Sequence, residues 1–322
     1  MAPSHASGPT PRPVSGDGFK VDFFCVGAAK AGTTSLHDLL DLQDGVALPR
    51  RKETNYFSFG IHGKPTFSGP LDQTSVNDAT ITSLDEYRDD FQSPPGCLHG
   101  EICPSYALPG VAQVLHAHNP DARIIILLRE PVGRAFSNYQ HLVRDGREPL
   151  SFEQALEAED ARLAQGWEWF WGLKRNSLYA DLVEEYRSAF GTQQVRILFF
   201  EDFVSDQEHQ LRSVMDFIGL DPSSTRYEAF DSNRSGVVSG RWRRVHRLLL
   251  GEGFLNSLLR SVLPTGLRKR LGTLFKSVST VRGELSADTR ERLAAAFGDD
   301  LESLDALVGG RVGEWRGGRD VP

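Results

Sequence analysis

Residues Val21 to Ser35 read VDFFCVGAAKAGTTS, and this stretch decides the fold. Its first seven residues form a run that is apolar except for Asp22 and does not alternate, which is typical of a strand buried on both faces of a parallel sheet. A turn containing Lys30 follows, and Thr34 to Leu42 then places leucines on one face of a helix. In such a strand–turn–helix unit, backbone N–H groups and the positive helix end converge on an anion. The sequence therefore predicts a phosphate site at Lys30, Ala31, Gly32, Thr33, Thr34 and Ser35.

Two further apolar runs have the same character as the first: Arg123–Arg129 (RIIILLR) and Val195–Phe203 (VRILFFEDF). Helical spacing of apolar residues follows in Ser177–Phe190 and in Gln207–Ile218. Alternation of buried strands with amphipathic helices predicts an α/β fold, a parallel β-sheet flanked by helices.

The turn at Lys30 departs from the Walker A motif, in which the lysine follows the second glycine. Lys30 lies two residues before Gly32, and the second apolar strand is followed by Arg129 instead of a magnesium-binding acid. The spacing indicates a phosphate site that functions without a metal. A simple helix cap by Thr33 or Thr34 is the alternative that the turn leaves open.

The turn KAGTTSL resembles the 5′-phosphosulfate loop of sulfotransferases that use 3′-phosphoadenylyl sulfate (PAPS). Residues 127–139, LLREPVGRAFSNY, resemble the 3′-phosphate motif of the same family. The resemblance implies a P-loop-like sulfotransferase fold, with PAPS as co-substrate and no metal. It also implies that Arg129 and Ser137 grip the 3′-phosphate, and that Lys30 stabilises the leaving oxygen.

Two shorter blocks are similar to the heparan-sulfate-type branch: KETNYF at residues 52–57, and Glu101 with PSY at residues 104–106. The first block implies that Glu53 is the catalytic base. The alternative is a structural role, in which Glu53 pairs with Arg50, Arg51 or Lys52. Other sulfotransferase branches use a histidine as the base, so three histidines are further candidates: His62, His99 and His141. One departure weakens the comparison, because Ile102 stands where that branch has a catalytic lysine.

The sequence predicts a disordered lead-in at residues 1–18 and one sulfotransferase domain at residues 19–322. Within that domain, residues 234–282 carry eleven Lys and Arg against the single acid Glu252 and form a basic helical region. The resemblance suggests that Arg241 from this region reaches the 3′-phosphate, and a solvated basic face is the alternative. Docking of the region on the domain is favoured over peripheral membrane contact.

Composition limits the class of protein. The chain has 322 residues, a net charge of −7, 39% hydrophobic and 25% charged residues, which fits a globular enzyme and excludes a generic nucleic-acid binder. Three cysteines without zinc spacing indicate reduced thiols. No apolar run is long enough for a membrane span, so a cytoplasmic location is expected.

The predicted function is transfer of a sulfuryl group from PAPS to a hydroxyl or amine of a carbohydrate or natural-product small molecule. A P-loop-like kinase and a non-catalytic phospho-ligand module are the alternatives. Two segments are candidates for the acceptor side: the aromatic run Trp167–Trp171, which core packing explains equally well, and the loop Gly60–Ser83, a possible lid.

Overall fold

The structure is a computed structural model that describes residues 18–92, 94–228, 237–238, 280–281 and 285–317. Within these residues one sheet has five strands: β1 (Phe23–Cys25), β2 (Val46–Ala47), β3 (Leu98–Ile102), β4 (Arg123–Leu128) and β5 (Val195–Phe199). Their order is β2-β3-β1-β4-β5, and every pairing is parallel. The predicted parallel sheet is confirmed. Two further strands, β6 (Val237–Val238) and β7 (Thr280–Val281), pair antiparallel with each other.

Helices flank the sheet as the sequence predicts: α1 (Thr33–Asp41), α2 (Leu84–Asp89), α3 (Val111–His118), α4 (Pro131–Arg144), α5 (Phe152–Ala164), α6 (Ala180–Phe190), α7 (Phe200–Ser205), α8 (Gln207–Ile218), α9 (Ala287–Ala296) and α10 (Gly298–Val308). One boundary was wrong, because the third apolar run stops being a strand at Phe199. Glu201 and Asp202 favour a helix start, since acids in the first turn face the positive end of the helix.

The strand β3 had no apolar signature in the sequence, because it carries His99, Gly100 and Glu101. It pairs directly with β1, and Gly100 faces the buried ring of Phe23. A Cβ at Gly100 would lie 1.9 Å from Phe23 Cζ, so only glycine fits this approach.

The topology brings the ends of three strands to one edge of the sheet. Cys25 of β1 is aligned with Ile102 of β3 on one side and with Ile125 of β4 on the other. Because the strands are parallel, the turn after β1 lies between the carboxyl ends of β3 and β4, where ligands bind in open α/β sheets.

Near the end of the described chain, the helix α10 supplies the N-terminal cap of α6. The helix α10 packs on α6, and the Asp300 carboxylate accepts hydrogen bonds from the N–H groups of Tyr179 and Ala180 at 2.9 and 3.0 Å. Asp300 thereby caps α6 from a distant part of the chain. One buried apolar cluster extends from Val21 to Trp315, while the single domain over residues 19–322 stays a prediction.

Several predictions from the sequence concern residues outside the described ranges. They are the lead-in at residues 1–17 and most of the basic region 234–282, including Arg241. Among the helices that are described, none has the length and apolar character that crossing a bilayer requires.

The close approach of β3 to β1 gives a first prediction. Gly100→Ala should lower the free energy of unfolding by about 1–3 kcal/mol, because the new methyl group overlaps a ring that cannot move. Urea or thermal unfolding measures this. Gly298→Ala is the matched control, since a Cβ there meets nothing within 4 Å. Equal stability of the two variants would show that the β1–β3 register is wrong.

Candidate functional site

The turn between β1 and α1 has the properties of an anion site. Gly32 begins the helix with φ of 97°, which L side chains rarely adopt, and a Cβ there would lie 3.1 Å from the Phe200 ring. In the part of the chain that the structure describes, no side chain caps α1. Among the described residues, no acceptor meets the backbone N–H groups of Gly32, Thr33 and Thr34. These donors point out of the positive end of the helix, where an anion is stabilised.

The alternative of a simple helix cap by Thr33 or Thr34 is therefore not observed. The hydroxyl oxygen of Thr34 instead accepts a hydrogen bond from Lys52 Nζ at 2.8 Å. The contact brings a second ammonium group to the first turn of α1. The hydroxyls of Thr33 and Ser35 belong to buried residues of the same turn.

The helix after β4 begins differently. The Glu130 carboxylate accepts hydrogen bonds from the N–H groups of Val132 and Gly133 at 2.9 and 2.6 Å, so α4 is capped by its own chain. Burial raises the pKa of Glu130, and these two hydrogen bonds oppose the rise. Of the two helices that follow β1 and β4, only α1 thus leaves its first amides for an external anion.

Arg129 joins the end of β4 to the turn after β1. Its Nη1 donates a hydrogen bond to the carbonyl oxygen of Lys30 at 3.1 Å, and its guanidinium lies 4.4 Å from the centre of the Phe200 ring. The carbonyl oxygen of Arg129 accepts from Tyr179 Oη at 3.0 Å. Both the position and the orientation of Arg129 are therefore fixed by packing.

Ser137 lies eight residues beyond Arg129, on α4, and only 5% of it is exposed. The backbone of β6 lies against the same helix. The chain just before Arg241 therefore approaches the helix that carries Ser137, although Arg241 itself is outside the described residues.

Lys30 stands at the centre of the charged groups. Its Nζ lies 3.4 Å from His141 Nδ1. Burial, and then the charges of Arg144 and Arg129, lower the pKa of Lys30, whereas Asp145 and Glu53 oppose this, so that the pKa is about 8. Lys30 is thus a buried cation in a field of mixed sign, and it is still mostly charged at neutral pH.

His141 contacts Lys30 and is a poor candidate for the catalytic base. Both Lys30 Nζ and the Arg144 guanidinium contact Nδ1 of the ring, while Nε2 lies 3.3 Å from Asp145 Oδ2. This arrangement assigns the proton to Nε2 and makes Nδ1 an acceptor for two donors. Burial first, and then the charge of Lys30, lower the pKa of His141 to about 3, so the ring is neutral.

The other two histidines do not belong to this site. His62 is exposed, and no hydrogen bond joins it to Lys30 or Glu53 within the described residues. His99 is the second residue of β3, and its Nδ1 lies 3.3 Å from the carbonyl oxygen of Lys20. Its position near the amino end of the strand is opposite to the edge where the turn lies.

Glu53 has the properties that a base requires. It is largely buried, and no described residue donates a hydrogen bond to its carboxylate. Burial raises the pKa of Glu53, against the charges of Lys52 and Lys30, which lower it. A carboxylate without hydrogen-bond donors, beside two ammonium groups, remains available to accept a proton.

The alternative role of Glu53, as the ion-pair partner of a neighbouring basic residue, agrees with the structure only in part. Arg50 lies 3.5 Å from Asp90 and Arg51 lies 2.9 Å from Glu86, so both arginines are paired elsewhere. Lys52 remains near Glu53, but its Nζ donates to Thr34. The pairing of Glu53 with either arginine is therefore not observed.

Ile102, which stands where the resemblance leads us to expect a lysine, is a core residue. It is 1% exposed and pairs with Cys25 at the end of β3. Ile102 therefore supplies no positive charge to the site. The positive charge near Glu53 comes instead from Lys30 and Lys52, which the charge effects on its pKa identify.

The aromatic run Trp167–Trp171 divides into two parts. Trp171 is 1% exposed, and its indole N–H donates to Asp72 at 3.1 Å, so this end packs in the core. Phe170 instead contacts the His141 ring edge-to-face, with centroids 5.3 Å apart. Phe170 therefore lies in contact with a residue that itself contacts Lys30.

The segment Gly60–Ser83 is fixed to the body of the protein. Asp72 is fully buried and pairs with Arg147, whose guanidinium also contacts Glu168 at 2.7 Å. Burial raises the pKa of Glu168 to about 7, although Arg147 opposes the rise. Because buried ion pairs anchor this segment, it is held in a fixed position. This argues against the predicted lid, which would have to move.

The cluster that His141, Arg144 and Asp145 form beside Lys30 was not predicted from the sequence. A signal was present, because Ser137, His141 and Arg144 are spaced i, i+4, i+7 and share one face of α4. What the sequence lacked was the partner, since Lys30 lies 111 residues earlier.

Comparisons with known proteins agree with this geometry. A sequence model described as "Sulfotransferase family" matches residues 104–224. Carbohydrate sulfotransferase 15 from Homo sapiens is 28% identical over 265 residues, covering 64% of this chain and 45% of that protein. Heparan sulfate glucosamine 3-O-sulfotransferase 3A1 from Mus musculus is 31% identical over 131 residues, covering 39% of this chain and 33% of that protein. The chain thus spans less than half the length of these two curated relatives.

A solved structure covers much more. The crystal structure of a sulfotransferase from Alicyclobacillus acidocaldarius is 32% identical, with a TM-score of 0.72. The match covers 92% of this chain and 99% of that one.

The buried lysine gives a second prediction, on the affinity for 3′-phosphoadenosine 5′-phosphate (PAP). Lys30 binds an anion only when protonated, and its pKa is about 8. Affinity should therefore fall as pH rises above 8, by up to about tenfold at pH 9, where roughly a tenth of such a lysine is charged. Isothermal titration calorimetry from pH 6.5 to 9.5 measures this.

Lys30→Arg is the matched control for that titration, because a guanidinium stays charged over the whole range. Its affinity for PAP should change little with pH, whatever its absolute value. A flat profile for the natural protein would contradict the role of Lys30.

Proposed function

Because the chain belongs to the sulfotransferase family, we propose that it transfers a sulfuryl group from PAPS to a hydroxyl or an amine of a carbohydrate or natural-product small molecule. One observation carries the proposal. The N–H groups that begin α1, together with Lys30, form a site suited to an anion, while Glu53 offers a carboxylate to which no described residue donates a hydrogen bond, in the electrostatic range of the same lysine.

The residues of the donor site fit PAPS, whose charges lie at two separate phosphates. The amides of Gly32 to Thr34 and the ammonium of Lys30 suit the 5′-phosphosulfate, because they combine a helix N-terminus with a point charge. Arg129 and Ser137 suit the 3′-phosphate, since a guanidinium and a hydroxyl donate in complementary geometry. When bound, PAPS supplies the sulfuryl group and a phosphate leaving group.

In the proposed reaction the acceptor oxygen attacks sulfur in line. A new oxygen–sulfur bond forms as the bond from sulfur to the 5′-phosphate oxygen breaks, and PAP is released. Glu53 takes the proton of the acceptor hydroxyl as the new bond forms. Without this transfer the proton would stay on the acceptor oxygen, which would then carry a positive charge. Lys30 stabilises the negative charge that develops on the leaving phosphate oxygen, and Lys52 holds the first turn of α1 beside it.

The contacts around Lys30 support an acceptor that presents a flat or apolar face. Phe170 lies beside His141, and His141 in turn contacts Lys30. An aromatic ring at this point suits a sugar ring or an apolar skeleton next to the reacting hydroxyl. The cytoplasmic location, the absence of a metal and of nucleic-acid partners, and any membrane contact stay predictions from the sequence.

The third prediction tests the base. Glu53→Gln should reduce kcat by roughly 100-fold or more, with the Kd for PAP changed less than about twofold, because the amide cannot take a proton. The acid limb of kcat/KM should vanish as well. In the natural protein activity is lost as pH falls through the pKa of Glu53, which burial holds above its ordinary value. Sulfated product is measured by mass spectrometry across a panel of carbohydrate and phenolic acceptors.

Glu86→Gln is the control, since that exposed carboxylate pairs with Arg51 on the surface. Its kcat should stay within about twofold of the natural value. Full turnover by the Glu53→Gln variant would overturn the assignment of the base. Tighter binding of ATP with magnesium than of PAP would favour a kinase, and PAP binding without product on any acceptor would favour a binding module.

A further inference from the structure

The base candidate Glu53 belongs to a strained turn. Glu53 and Asn55 have φ of 61° and 54°, a left-handed conformation that residues other than glycine rarely adopt. Two such residues separated by one position are retained only where the surroundings enforce them. We call Glu53–Asn55 the clamped turn.

Thr54, between the two strained residues, is fully buried and bound to Glu101. Both its N–H group, at 3.3 Å, and its hydroxyl, at 2.5 Å, donate to Glu101 Oε1. The hydroxyl oxygen also accepts from the N–H group of Tyr56 at 3.2 Å. The central residue of the clamped turn is therefore held by the Glu101 carboxylate and by the backbone of Tyr56.

Glu101 is an anchor that is itself fully satisfied. Its second oxygen, Oε2, accepts from Tyr87 Oη at 2.6 Å and from Tyr106 Oη at 2.8 Å. Burial raises the pKa of Glu101, and the donors from Thr54, Tyr87 and Tyr106 lower it. Burial and then the carboxylate raise the pKa of both tyrosines well above the ordinary value, so they stay O–H donors.

A second contact closes the clamped turn from its other end. Asn55 Nδ2 donates to the carbonyl oxygen of Glu53 at 3.1 Å, and Asn55 Oδ1 accepts from Ser105 Oγ at 2.7 Å. Ser105 Oγ also lies 2.8 Å from Ser58 Oγ. The turn is thus bound to β3 and to the residues just after it.

From these contacts we propose that Glu101 is a positioning residue for the sulfuryl-transfer reaction, which orients the base Glu53 through Thr54. Glu101 does not touch the substrate. It holds the central residue of the clamped turn, so that the backbone strain is maintained and Glu53 points to the acceptor. The proposal rests on the proposed function only in taking Glu53 as the base.

A matched pair of variants separates positioning from simple stability. Thr54→Val and Tyr87→Phe each remove one hydroxyl donor from the same buried carboxylate while keeping the shape of the side chain. Only the first loosens the clamped turn. Thr54→Val should lower kcat at least about 20-fold with KM for PAPS and Kd for PAP within twofold, whereas Tyr87→Phe should keep kcat within about threefold at a similar loss of Tm. Thr54→Ser, which retains the hydroxyl, should restore most of the turnover.

Equal losses of kcat in Thr54→Val and Tyr87→Phe at equal Tm would overturn the proposal, because Glu101 would then act on stability alone. If Thr54→Val is unfolded and does not bind PAP, the Asn55→Gly variant tests the clamped turn instead. Glycine tolerates the left-handed backbone but loses the contact to Ser105, so kcat should fall at least about tenfold with unchanged affinity for PAP. Natural turnover in Asn55→Gly would count against the clamp.

Hydrogen–deuterium exchange gives a readout that does not depend on activity. The peptide covering Glu53 to Tyr56 should exchange faster in Thr54→Val than in Tyr87→Phe, because only the former frees the turn. A natural protein that yields no sulfated product would defeat the proposed function and leave this comparison intact. Identical exchange in the two variants would defeat the positioning role even if turnover is confirmed.

Discussion

The parallel pairing of β1 with β4 is the constraint on which the rest of the site depends. It places the turn after one strand beside the residue that ends the other, so the Arg129 guanidinium reaches the carbonyl oxygen of Lys30. That contact holds the backbone of a lysine in the left-handed conformation, with φ of 69°. An antiparallel arrangement would send the two chain segments to opposite edges, and Arg129 would not contact the turn after β1.

The charge of the whole molecule says little about this site. The chain carries −7, yet the anion site collects Lys30, Lys52 and Arg129 around the uncapped start of α1. Glu53 and Asp145 act on Lys30, whereas two further carboxylates are engaged in hydrogen bonds: Glu130 caps α4 and Glu101 receives four hydrogen bonds. Local hydrogen bonding therefore decides which charges face the ligand, and the net sign affects solubility and long-range association.

The part of the site that could be predicted from the sequence is the part that is local. A strand, a turn and a helix follow one another, so the roles of Lys30 and Gly32 are visible in fifteen residues, and Arg129 marks a second strand end. The clamped turn was not predictable, because Thr54 and Glu101 meet across 47 residues. The strand β3 also escaped, since His99, Gly100 and Glu101 interrupt any apolar pattern. Contacts set by tertiary packing leave no periodicity in the chain.

The cap that Asp300 places on α6 links the end of the described chain to the donor site. Asp300 fixes Tyr179, and the hydroxyl of Tyr179 fixes the carbonyl oxygen of Arg129. Residues 104–224, which match the family model, therefore include neither Lys30 nor Asp300. We expect the binding of an anion at Arg129 and the docking of α10 to be thermodynamically coupled. We expect a chain shortened before Gly298 to lose part of its thermal stabilisation by PAP, although α10 need not contact the ligand.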